Sequence, residues 1–288
     1  MTLSEFQNFI TPFLTYLQST KNRAAHTQRA YRADLHELLH FWEHKESQEK
    51  RTFDLSLVLM RYMQNIAHKQ FTATTIARKC SCFNSFEKFM HQVHGRELNL
   101  TLIRPVIQHK LPELLTFEEI QYLIETMPLS ELALQRPYRD RAIFQLLYAT
   151  GMLTSEIIQL RLEHINLSEN TLLIQSPTKN RSLTFNHLTA QKLTDYVTHE
   201  RKKPTTPHEY FFLNHRDEPL TTRSIQRICR AFSKKLSRSL MITPFLLRYS
   251  GASHLLTQGK SISELNEILG HRCMVSTQRY FQIFEHKA

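Results

Sequence analysis

Residues 269–280 read LGHRCMVSTQRY. A Gly270–His271 pair closes an apolar helix, and nine residues after the histidine comes Tyr280. That tyrosine is either a nucleophile for a phosphate or an ordinary aromatic in a short helix. Most tyrosines are packing residues, so the choice rests on the chain around it.

Charge is the strongest global signal. Lys and Arg number 37 against 26 Asp and Glu, a formal charge of +11. Residues 1–110 hold 15 basic and 9 acidic residues and residues 111–288 hold 22 and 17, so both halves share the excess. A polyanion lying across two domains is the natural partner for such a distribution, whereas a basic tail would concentrate it.

The rest of the composition sets bounds. A chain of 288 residues accommodates two domains. No stretch approaches the roughly 18 uncharged apolar residues of a membrane span. The opening MTLSEFQNFITPFLTYL has no basic n-region and carries Glu5 early, unlike a secretory signal. Cys80, Cys82, Cys229 and Cys273 show neither CxxC spacing nor a disulfide framework. They read as reduced thiols of a cytoplasmic protein.

Helical periodicity dominates. Phe6, Ile10, Phe13, Leu14 and Leu17 recur at helical spacing, as do Tyr31, Leu35, Leu38, Leu39 and Trp42 after a cap expected at Thr27. With LSLVLMRYMQNIAH and TTIARKCSCFNSFEKFMHQV these predict a bundle of about four helices. The period breaks around Pro105 and Pro112, which suggests a linker over 103–111. A new helix opens at the Thr116–Glu119 capping box. β signals occur only at Leu172–Gln175 and Ser182–Phe185, flanking a polar turn. In TRSIQRICRAFSKKLSRSL, Arg223, Arg227, Arg230, Lys234 and Arg238 fall on one side of a helix, with Ile225, Ile228, Phe232 and Leu236 opposite. Such a rail of positive charge suits a phosphate backbone.

From Thr243 the chain reads TPFLLRYSGASHLLTQGKSISELNEILGHRCMVSTQRY. This resembles the C-terminal signature of tyrosine recombinases: Thr-Pro-His-x-Leu-Arg-His-Ser, a helix, Leu-Gly-His, then a tyrosine nine residues on. Arg248, His271 and Tyr280 fall in register. LPELLTFEEIQYLI and YATGMLTSEIIQLRLEHINL are similar to the family's catalytic-domain opening and first arginine motif, and the N-terminal helices resemble its core-binding domain.

The resemblance implies a mainly α fold with a small β-hairpin or sheet. It implies a SAM-like helical core-binding domain over 1–102, the linker, and a catalytic domain over 112–288. Two such domains clamp duplex DNA, and the tyrosine attacks a backbone phosphate to form a 3′-phosphotyrosyl link. Arginines stabilise charge on the phosphate oxygens, a hairpin lysine protonates the departing 5′ oxygen, and the later histidine hydrogen-bonds the phosphate. On that pattern Tyr280 is the nucleophile, Arg248 and His271 hold the phosphate, Lys179 is the hairpin lysine and Glu156 matches the acid after the first arginine. No metal or cofactor is expected. The partners implied are double-stranded DNA and a second recombinase, the same chain or a relative.

Three positions depart from the pattern. Leu153 stands at the first arginine, Phe245 at the histidine preceding Arg248, and Ser176 at the catalytic lysine, leaving Lys179 at the accessory one. Leu153 and Phe245 cannot donate hydrogen bonds and read as core fillers closing the pocket. Arg161 and Arg181 are the nearest substitutes, the second expected in the turn. After Tyr280 only FQIFEHKA follows, where relatives usually continue into another docking helix. Two readings therefore stand: a recombinase with impaired or partner-dependent chemistry, or a non-catalytic DNA-binding relative. His36, His40 and His44, spaced four apart on one helix, are a weaker candidate for zinc.

Overall fold

The computed structural model describes residues 1–20, 25–107, 112–132, 135–175, 180–201, 209–271 and 273–285. The chain divides into two compact units, Met1–Lys110 and Leu111–Ala288. It is mainly helical, with one small antiparallel sheet.

The first unit contains α1 (Leu3–Ser19), α2 (Ala25–Glu49), α3 (Leu55–His68) and α4 (Ala73–His94). A Thr2–Glu5 capping box starts α1, and Asp54 and Thr72 cap α3 and α4. Thr27 lies inside α2 and is not its cap, because the helix already runs from Ala25. The periodic apolar residues point inward. Phe6 meets Trp42 and Phe86 at ring distances of 5.8 and 5.3 Å, and Phe13 meets Phe86 edge-on. Burying a ring or branched side chain of this kind stabilises by about 1.5–3 kcal/mol. Cys80 and Cys82 are both buried, Cys82 within the same packing. Lys79 is fully buried, its ammonium satisfied by Asp34 at 3.0 Å, Glu37 at 2.7 Å and the Tyr62 hydroxyl at 2.9 Å. His36, His40 and His44 are exposed on α2. Among the described residues no group of three or more His, Cys, Asp or Glu converges as a metal site.

In the second unit the Thr116–Glu119 capping box opens α5 (Phe117–Gln121), which continues as a π-turn over Tyr122–Thr126. The central helix is α6 (Pro137–Thr150), buried along Ala142–Leu147. After α7 (Thr154–Ile158) come β1 (Ile165–Asn166), β2 (Thr171–Ile174) and β3 (Arg181–Thr184), in the order β1-β2-β3, with Leu172 opposite Leu183. Both expected strands start one residue earlier than their sequence signal, and β1 had none. Ser176 and Lys179 lie outside the described residues.

The remaining helices are α8 (His187–His199), α9 (Thr222–Ser233), α10 (Pro244–Thr257), α11 (Ile262–Leu269) and α12 (Met274–Glu285). Gly251 lets α10 approach α6: a Cβ there would sit 2.1 Å from the Tyr148 carbonyl oxygen. This contact fixes the depth at which α10 presents Arg248. Beside it, the Tyr148 hydroxyl bonds His254 Nδ1 at 2.8 Å, and burial pushes the phenol up to about 12. His254 thus has a defined packing role. No helix of the described residues is long and apolar enough to cross a membrane.

The basic rail is shorter than expected. Helix α9 stops at Ser233, whose Oγ donates to the Cys229 carbonyl at 3.1 Å and accepts the Ile242 N–H at 2.7 Å. The chain folds back there, so Arg238 is off the helix. Its guanidinium is held by Glu113, by Glu119 and by the Leu114 carbonyl at 2.8 Å.

Candidate active site and nucleic-acid interface

Arg248 on α10, His271 just after α11 and Tyr280 on α12 converge. The Arg248 Nε donates to the Tyr280 hydroxyl at 3.2 Å, and its Nη2 lies 2.8 Å from His271 Nε2. The same guanidinium donates to the carbonyls of Gly151 and Leu269, the latter at 2.8 Å. These carbonyls end α6 and α11, where helix dipoles leave negative partial charge. Arg248 and Tyr280 are both buried.

His271 is oriented from behind. Nε2 must be the acceptor toward arginine, so Nδ1 carries the proton and donates to Thr277 Oγ1 at 2.8 Å. The hydroxyl in turn donates to Asn266 Oδ1 at 2.8 Å. Burial, then the charges of Arg248 and Arg181, push the imidazole down to about 4. At neutral pH the ring is neutral, an acceptor facing a cation. Thr277 and Asn266 were not singled out from sequence; a hydroxyl three residues before Tyr280 carries no signal until α12 is packed on α11.

This geometry accompanies clear kinship. The phage integrase family profile matches residues 113–287, and that of the phage integrase N-terminal SAM-like domain matches residues 10–93. The chain belongs to the phage integrase family. It is 30% identical to tyrosine recombinase XerC of Bacillus subtilis, over 98% of this chain and 93% of that protein. It is likewise 30% identical to tyrosine recombinase XerD of Staphylococcus aureus, over 96% and 94%. The fold matches the XerH site-specific recombinase bound to a palindromic difH substrate, with TM-score 0.73 and 17% identity over 96% of this chain and 82% of that one. It also matches a lambda integrase dimer bound to a COC′ core site, with TM-score 0.70 and 15% identity over 97% and 95%.

Within this Xer-like tyrosine recombinase, Arg181 corrects the expectation that it sits in the turn. It begins β3 and is buried. Its guanidinium grips Glu156 in a two-pronged pair at 2.7 and 3.0 Å, and Nε donates to the Ile268 carbonyl at 2.9 Å. Glu156 Oε2 also accepts the Leu153 N–H at 2.7 Å. Glu156 therefore fastens α7 to β3, and Arg181 fastens β3 to the end of α11. Gly270 makes room: its φ is +67°, and a Cβ there would lie 2.7 Å from Arg181 Nη1. Arg161 is paired with Glu209 and lies over the Tyr210 ring.

Leu153 and Phe245 do not fill the core. They are 48% and 59% exposed, so the recombinase pocket is not closed with hydrocarbon. Leu153 directly precedes α7, and Phe245 is the second residue of α10.

A separate surface is basic. Arg223, Arg227 and Arg230 stand exposed on α9 and, with Thr221, Ser224 and Gln226, line a groove of about 450 Å³. Lys234, exposed, follows the helix end. Among the described residues no carboxylate forms an ion pair with these four. Ile225, Ile228, Cys229 and Phe232 anchor the opposite face, with Phe232 stacked on Phe144 at 4.1 Å.

Proposed function

We propose that this protein binds double-stranded DNA through Arg223, Arg227, Arg230 and Lys234, and offers Tyr280 to a backbone phosphate for site-specific recombination. The observation that carries this reading is the hydrogen-bonded Arg248–Tyr280 pair with His271 on the same guanidinium. In the step itself the Tyr280 oxygen bonds phosphorus as the bond to the 5′ oxygen breaks. The phenolic proton leaves to a base, and the 5′ oxygen takes a proton from an acid, the role assigned to Lys179. Arg248 stabilises the charge that gathers on the phosphate oxygens, and His271 serves the same phosphate by holding that guanidinium through Nε2, its neutral acceptor. Glu156 contributes by position, through Arg181. Residues 1–102 and 112–288 act as the two DNA-binding halves, with the linker between them. Assembly on DNA with a second copy or a related recombinase follows from this function, as does a cytoplasmic site of action.

Leu153 and Phe245 favour a second reading, a DNA-binding relative without strand cleavage. Each missing donor to the transition state costs about 2.7–4 kcal/mol, roughly 10²–10³ in rate. The two readings part in one experiment. The protein is incubated with a library of nicked duplexes, and covalent adducts are recovered under denaturing conditions. An adduct lost in Tyr280→Phe establishes a recombinase. Salt-sensitive binding without adduct, even beside an active relative, establishes the non-catalytic protein.

A further inference from the structure

Three aromatic rings run from the surface to the tyrosine. The Phe245 ring lies 4.4 Å from that of Tyr249, tilted at 46°, and the Tyr249 ring lies 4.0 Å from that of Tyr280, nearly parallel at 18°. The inner two rings are buried, and Phe245 at the outer end is exposed. A scattered exposed apolar residue needs no explanation. This one is held by the column beneath it, and the column ends on the hydroxyl that accepts from Arg248.

The two ends suit different parts of one ligand. At the inner end is the cation of Arg248. It selects an anion. The outer end is a flat hydrocarbon face with no charge of its own. A molecule carrying a phosphate at one end and a π-face at the other is a nucleotide. Strand exchange also creates the need: bases beside a broken phosphodiester must leave one partner before pairing with another. An unpaired base loses its stacking and gains from an aromatic surface.

We propose that Phe245 is a stacking platform for an unpaired nucleobase of the strand whose phosphate faces Tyr280. The proposal rests on the DNA-phosphate reading of Tyr280 and adds a contact to the base. The residue that replaces a hydrogen-bond donor thus takes up a different part of the same substrate.

The test uses the full-length protein and three labelled duplexes: one fully paired, one with a central bubble of mismatched thymidines, and one with abasic sites in that bubble. Wild-type protein is expected to bind the thymidine bubble about 5- to 150-fold more tightly than the abasic one, the range for one base stacked on an aromatic ring. Phe245→Ala removes the preference and Phe245→Trp keeps it. The indole of Phe245→Trp is quenched by the thymidine bubble alone. Trp42, the chain's single tryptophan, is fully buried and supplies a constant background. Equal binding of the two bubbles by wild type, or a preference that survives Phe245→Ala, overturns the proposal. Affinity of the wild type for the paired duplex reports separately on DNA binding itself; if that is absent, both readings fall.

Discussion

His271 Nε2 faces the Arg248 guanidinium at 2.8 Å as an uncharged acceptor, while its Nδ1–H is tied to Thr277. The imidazole is therefore a fixed dipole in the site, with a defined tautomer.

This makes acid a specific threat. The folded-state value for His271 is about 4, against an ordinary 6.5. Between those values the unfolded chain binds the extra proton and the folded one resists it, so stability falls as pH drops through about 6.5 toward 4. Thermal unfolding followed across that range should show a steeper loss for wild type than for His271→Gln. Equal slopes would mean that the ring titrates normally.

Removal of the Thr277 hydroxyl should be costly despite its small size. Thr277→Val leaves the His271 Nδ1–H without its acceptor and Asn266 Oδ1 without its donor. A loss of about 1–3 kcal/mol in urea unfolding is expected. Thr277→Ser should recover most of it.

Arg181 and Glu156 form a buried pair, so breaking it from one side strands a charge. Arg181→Met and Glu156→Leu are each expected to cost about 3–5 kcal/mol, with the double variant costing clearly less than the sum of the two. Simple additivity in the cycle would mean that the two side chains do not depend on each other.

Arg227 and Arg238 should behave oppositely although both were expected on one rail. Arg227→Gln should reduce the slope of log affinity against log salt by about 0.9, the value for one phosphate contact. Arg238→Gln should leave that slope alone and lower stability, because Glu113 and Glu119 already hold its guanidinium.

Leu153 is exposed at the start of α7, so Leu153→Arg requires no cavity and displaces nothing buried. If the missing arginine limits the chemistry, the rate of Tyr280 adduct formation should rise by about 10²–10³. An unchanged rate would locate the limit elsewhere.

Much of this was legible because it depends on spacing within one element. The interval from His271 to Tyr280, the capping box at Thr116 and the apolar stripes of α1 and α2 are local patterns. What stayed hidden depends on where one segment lies against another. Nothing within β3 announces that Arg181 will be buried; its partner arrives from α7 and its second anchor from α11. The rail was drawn too long because Lys234–Arg238 keeps a helical period, whereas the Ile242 N–H reaches Ser233 only after the chain has turned. Hydrophobicity alone reads Leu153 and Phe245 as core, yet about half of each side chain is left open to solvent at a helix start.

The two carbonyls on Arg248 have an evolutionary consequence. By neutralising the ends of α6 and α11 the guanidinium also acts as a keystone, joining helices that must meet for the second unit to fold. A lineage that abandoned DNA cleavage would still be selected to keep this arginine, for stability alone. Folding alone would hold it in place, whereas Tyr280, whose hydroxyl makes one hydrogen bond to Arg248, is the position at which disuse would show first.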